Sequence, residues 1–156
     1  WTRQIYAKGK MLPNQKARKL DKNGNLWYCR EDNPEVEWYD KVEKPIEGEP
    51  VVTKWCYDAF QDTNLHLQLQ CKGIKTLLLT GFTSNCCVET TARRGYHLGY
   101  YIIAVSDCID TYKQSRHESA MLNIKELFGN VMLSGDIVKM LQKKGSGSPS
   151  YSNYIL

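Results

Sequence analysis

Two side chains in this sequence stand where chemistry could be done. Lys54 closes the run Pro50-Val51-Val52-Thr53-Lys54, and Cys87 lies in Thr80-Gly81-Phe82-Thr83-Ser84-Asn85-Cys86-Cys87-Val88-Glu89-Thr90-Thr91-Ala92. Each follows a short apolar run that reads as a strand, and open α/β sheets form their sites beyond the carboxyl ends of strands. With Asn85 as the cap, the spacing places Cys87 in the first turn of a helix running to about Tyr96. Unpaired backbone N–H groups and the positive end of the helix dipole stabilise a thiolate there and lower its pKa. An ammonium from Lys54 close by would act in the same direction. The same N–H groups can hold the oxyanion formed when a thiolate attacks a carbonyl. A strand–glycine–helix junction that merely packs remains open as the plain alternative.

The other candidates are poorer. Cysteines stand at 29, 56, 71, 86, 87 and 108, none with C-x-x-C spacing for zinc. The vicinal pair Cys86–Cys87 starts no disulfide framework, and a bridge within it needs a strained peptide, so a redox role ranks low. With no signal-peptide run in Trp1 to Lys10, the thiols read as reduced and the compartment as cytoplasmic. His66, His97 and His117 are scattered and read as satisfied surface or core residues. No metal and no cofactor is expected.

The elements that must position Lys54 and Cys87 follow from patterning. Across 156 residues, 42% apolar and 24% charged, the composition is that of one compact globular domain rather than a disordered or fibrous chain. No apolar run approaches the ~18 residues of a membrane span. Against 17 acids, 21 bases leave a formal charge of +4. That excess does not make a nucleic-acid site, and neither nucleic acid nor membrane is expected as a partner. Much of it lies in Lys8, Lys10, Lys16, Arg18, Lys19 and Lys22, which read as a solvated loop. From Val51 onward strands and helices alternate. Thr63 caps a helix to about Cys71, although Leu65, Leu67 and Leu69 also alternate as a strand would. Lys75–Thr80 reads as a strand covered on both faces, and Tyr101–Ser106 and Val131–Leu133 as further strands. Ser115–Phe128 and Ser134–Lys144 read as helices, and residues 145–156 as a linker-like tail. Strand–helix alternation with short joints predicts a mostly parallel α/β sheet with right-handed crossovers.

At this point the residues resemble a known family. The run Gly81-Phe-Thr-Ser-Asn-Cys-Cys87-Val88-Glu-Thr-Thr91-Ala92, then Gly99-Tyr100 and a strand ending in Asp107, is similar to the isochorismatase-like cysteine hydrolases. So is Gly48-Glu-Pro-Val-Val-Thr-Lys54 with Tyr57-x-Ala59-Phe60-x-x-Thr63-x-Leu65 upstream, and so are His117 and Gly129-x-Val131 downstream. The resemblance covers about residues 44–142, and Trp1-Thr2-Arg3 resembles the end of the family's second strand.

The resemblance implies a three-layer α/β/α, Rossmann-like hydrolase domain over residues 1–144, using an Asp-Lys-Cys triad on amide or ureido C–N bonds. Carried over by position, Cys87 is the nucleophile and Lys54 the triad lysine. The N–H groups of Thr83 and Cys87 form the oxyanion hole beyond a cis Phe82–Thr83 peptide, and Phe60 and Tyr57 wall the substrate pocket. The triad aspartate normally ends a first apolar strand; none precedes Trp1, and the aspartate is expected before it. The Asp/His metal cluster of nicotinamidases is missing from the pattern. The resemblance also implies a small-molecule substrate and a homo-oligomer. Two other functions fit the same fold: isochorismate hydrolysis, whose enzymes often lack the cysteine, and an inactive binding protein.

Overall fold

The computed structural model describes residues 1–6, 11–26, 29–31, 41 and 43–143. Lys8, Lys10 and the tail 145–156 lie outside them. The chain divides into two compact units, Trp1–Ile74 and Lys75–Leu156.

In the first unit, β1 (Thr2–Gln4) and β2 (Val52–Lys54) pair in parallel, with Thr2 opposite Val52 and Gln4 opposite Lys54. The Ile5 N–H extends the ladder to the Lys54 carbonyl at 2.9 Å. Between them lies α1 (Pro13–Lys19), and this corrects the reading of a basic loop. Pro13 suits the first helical position, where no N–H is needed. The Gln15 side chain accepts the Leu12 N–H at 3.0 Å. Lys16, Arg18 and Lys19 crowd the last turn, where cations meet the negative end of the helix dipole. Lys16, Arg18 and Lys22 are exposed as expected, but Lys19 is buried. α2 (Leu65–Cys71) resolves the helix–strand ambiguity in favour of helix. Asn64 holds the cap position, but the Thr63 hydroxyl oxygen accepts the Leu65 N–H at 3.3 Å while its proton goes to the Ala59 carbonyl at 2.6 Å.

The second unit is a three-stranded parallel sheet in the order β3 (Thr76–Phe82), β4 (Tyr101–Asp110), β5 (Gly129–Met132). Its helices are α3 (Glu89–His97), α4 (Gln114–Leu127) and α5 (Ser134–Lys143). The core gathers on β4, the central strand, where Ile102, Ala104, Val105 and Ile109 are buried with Ala92, Ala120 and Ile124 from the helices. β3 departs from expectation: Leu78 and Phe82 are about half exposed, because among the described residues β3 pairs only with β4 and lies at the sheet edge. β4 also runs past both Ser106 and Asp107. Leu79 pairs with Ala104, but Gly81 pairs with Ile109, so residues 105–108 bulge and pairing resumes at Ile109–Asp110.

Two glycines set joints. Gly99, at φ +87°, turns the chain out of α3, donating to the Tyr96 carbonyl at 2.9 Å. A Cβ on Gly129 would lie 2.2 Å from the Ile102 carbonyl oxygen, so β5 approaches β4 only with glycine there.

Candidate active site

Of the residues singled out from the sequence, Lys54, Tyr57 and Phe60 lie in the first unit and Thr83 and Cys87 in the second.

β2 ends by driving Lys54 into the interior, where it is 4% exposed. Its ammonium has three hydrogens and meets three neutral oxygens: Gln4 Oε1 at 3.0 Å, the Cys56 carbonyl at 2.9 Å and the Tyr57 carbonyl at 3.0 Å. Full hydrogen bonding offsets the cost of burying the group and fixes its direction. Tyr57 is partly exposed, and its hydroxyl accepts a hydrogen bond from Lys19 Nζ at 2.5 Å. Phe60 is buried, its ring edge-on to His66 with centroids 6.3 Å apart. Sequence reasoning missed Gln4 and Lys19. The lysine was hidden in a basic run, and nothing local marks one lysine of such a run as buried.

In the second unit the Phe82–Thr83 peptide is cis, as the resemblance implied. Beyond it the backbone makes a π-helical turn, Ser84–Val88, and only then enters α3. Cys87 therefore sits in this turn and not in the first turn of an α-helix. The Thr83 carbonyl accepts both the Cys86 N–H at 3.3 Å and the Val88 N–H at 3.2 Å, and the second bond spans five residues. Val88 keeps helical angles, so the peptide dipoles of α3 still point their positive end toward the turn carrying Cys87. Asn85 is not a cap; its Oδ1 accepts the Thr111 hydroxyl at 3.0 Å. Cys87 is half-buried, and none of the six cysteines is in a disulfide.

Ser84 is fully buried, with Oγ 2.8 Å from Nδ1 of His117 on α4. This bond ties α4 to the cysteine turn and gives His117 a partner. His117 also lines a cavity of about 440 Å³ with Phe82, Ser106, Asp107, Asp110 and Gln114. Asp107 accepts the backbone N–H and hydroxyl of Ser134 at 2.8 and 2.6 Å, starting α5. Those bonds hold its carboxyl below the usual range, the hydroxyl bond first. Among the described residues no three His, Cys, Asp or Glu side chains are grouped to hold a metal ion. No helix described is long and apolar enough to cross a membrane.

The model of the isochorismatase domain matches residues 1–136. The chain belongs to the isochorismatase family. The family's members include an uncharacterized isochorismatase family protein of Bacillus subtilis, YwoC, 40% identical to this chain over 75 residues, 48% of this chain and 40% of that protein. The ureidoacrylate amidohydrolase RutB of Methylobacterium radiotolerans is 37% identical over 86 residues, 54% of this chain and 33% of its own length. The chain thus matches two-fifths or less of these two relatives. An isochorismatase-like hydrolase from Alkaliphilus metalliredigens superposes with a TM-score of 0.78 over 90% of this chain and 71% of that one. At 24% identity, that likeness shows the fold alone, a parallel α/β sheet with helices of the isochorismatase-like kind.

Proposed function

We propose that the chain carries the nucleophile and the triad lysine of a cysteine-dependent hydrolase that cleaves a small amide or ureido C–N bond through a thioester. The observation that carries this reading is the cysteine turn, with Cys87 held at the positive end of α3. Family membership and the likeness to a ureidoacrylate amidohydrolase support the choice of C–N bonds.

In the proposed reaction the Cys87 thiolate attacks the carbonyl carbon and an S–C bond forms. The charge moves to the carbonyl oxygen, which the N–H groups of Thr83 and Cys87 receive. Collapse of this intermediate breaks the C–N bond, and the nitrogen leaves as ammonia or an amine after taking a proton from solvent water. Water then adds to the thioester and gives up a proton to solvent, a second oxyanion forms in the same hole, and breaking the S–C bond returns the thiolate and releases the acid. Lys54 supplies fixed positive charge and steers the protons, with Tyr57 and Phe60 beside it shaping the binding wall. The substrate is a small molecule, and the working enzyme is an oligomer in this proposal.

The test is ammonia or amine release from ureidoacrylate and simple amides by the purified chain and by Cys87→Ser. The expected loss of kcat is roughly 10⁴-fold or more, the scale of removing a nucleophile. Undiminished turnover by Cys87→Ser would overturn the proposal.

A further inference from the structure

The turn that carries Cys87 is gripped from outside at its first two residues. Ser84 Oγ lies 2.8 Å from His117 Nδ1, and Asn85 Oδ1 accepts the Thr111 hydroxyl at 3.0 Å. Both partners stand on one short stretch: Thr111 follows the last residue of β4, and His117 lies in the first turn of α4. That stretch is itself well seated. Thr111 is buried, with its N–H donated to Asp110 Oδ1 at 2.6 Å, and α4 is anchored by the fully buried Ala120 and Ile124. On the other side of the turn, α3 is anchored by the fully buried Ala92.

The backbone bonds of the turn are long and shared. The Thr83 carbonyl divides itself between the Cys86 and Val88 N–H groups at 3.3 and 3.2 Å, and the Glu89 N–H divides itself between the Ser84 and Cys86 carbonyls. Such a π turn is rare beside the α-helix. The difference matters here. With α-helical spacing the Thr83 carbonyl would take the N–H four residues on, which is that of Cys87. In the π turn it takes the Val88 N–H, five residues on. The register decides which of these two N–H groups the Thr83 carbonyl claims.

We infer that His117, through Ser84, and Thr111, through Asn85, are positioning residues that hold the cysteine turn in its π register. Passing to α-helical spacing takes one residue out of the turn. The residues before it then rotate by about 100° around the axis of α3 and shift by about 1.5 Å along it. Ser84 and Asn85 would swing away from partners fixed in α4 and at the end of β4. Ser84 would part its hydroxyl from His117 in a fully buried place, which is costly. Either tautomer of His117 serves, because a hydroxyl can donate to Nδ1 or accept from it.

The inference rests on the reading of Cys87 as the nucleophile, and the experiment follows the register apart from activity. Cys87-Val88 is the only cysteine–valine step in the sequence, so ¹³C-carbonyl cysteine with ¹⁵N-valine picks out the Val88 amide alone by NMR. The full chain is compared with Ser84→Ala, Thr111→Val, His117→Phe and His117→Asn, with thermal melting to confirm folding. Ser84→Ala, Thr111→Val and His117→Phe should each shift the Val88 resonance. Its amide hydrogen should exchange about tenfold faster, the scale of one lost hydrogen bond, because the bond to Thr83 breaks whenever the turn changes register. The same variants should lower kcat on ureidoacrylate by on the order of 100-fold, as loss of an oxyanion donor does, with KM unchanged. His117→Asn keeps a polar atom near the place of Nδ1 and should restore much of both. Thr111→Val is close to isosteric and preserves the test if Ser84→Ala does not fold. Unchanged Val88 shift and exchange in folded Ser84→Ala or Thr111→Val overturns the inference. Full activity in a chain whose Val88 bond has loosened would instead overturn the reading of this turn as catalytic, while the clamp on its register stands.

Discussion

Lys54 and Cys87 were legible as candidates from their placement after apolar runs, yet the side chains around them were not. Gln4 reaches Lys54, and Lys19 reaches Tyr57, only through folding, across 50 and 38 residues of sequence. A lysine among lysines carries no local mark of burial. His117 was read as a satisfied histidine, and its partner proves to be Ser84, 33 residues away in the cysteine turn. That bond makes a prediction at the residue scale. Ser84→Ala deletes the hydroxyl from a fully buried site and should cost about 1–3 kcal/mol, measured by urea unfolding. In a double-mutant cycle with His117→Ala the two losses should fall short of additive by about 0.5–3 kcal/mol. Strict additivity would show that the pair contributes nothing to the turn.

At the level of elements, the alternation from Thr76 onward was readable because each strand is a compact apolar run and Gly99 sits at the end of a helix. The π-helical turn was not readable. Hydrophobic period distinguishes strand from helix, but a single five-residue hydrogen bond leaves no trace in it. Cys87 consequently lies ahead of α3 and not within its first turn. The bulge in β4 was missed for a related reason: residues 105–108 are extended in either case, and only β3 reveals that they have no partner on its side. β5 makes the sharpest prediction here. Gly129→Ala forces a methyl against the Ile102 backbone, which cannot move aside as a side chain would. A loss of about 1–3 kcal/mol in urea unfolding is expected, typical of overpacking. No loss would mean that β5 does not approach β4 so closely.

Taken as a whole, the molecule is a member of the isochorismatase family whose match spans residues 1–136, and it distributes its candidate groups over two compact units. The fold class and the family could be read because the lysine segment and the cysteine segment each carry many constrained residues in order. The central claim is that the backbone around Cys87 makes its sulfur a nucleophile, and accessibility alone predicts the opposite. Cys71 and Cys108 are exposed, whereas Cys87 is half-buried. The most direct measurement is therefore the order in which iodoacetamide labels the six cysteines of the native chain at neutral pH, followed by tandem mass spectrometry. Labelling of Cys87 before Cys71 and Cys108, in step with loss of C–N hydrolysis, is the predicted result. Cys71 and Cys108 reacting first, with Cys87 slower than an ordinary thiol of pKa about 8.5, would contradict the account.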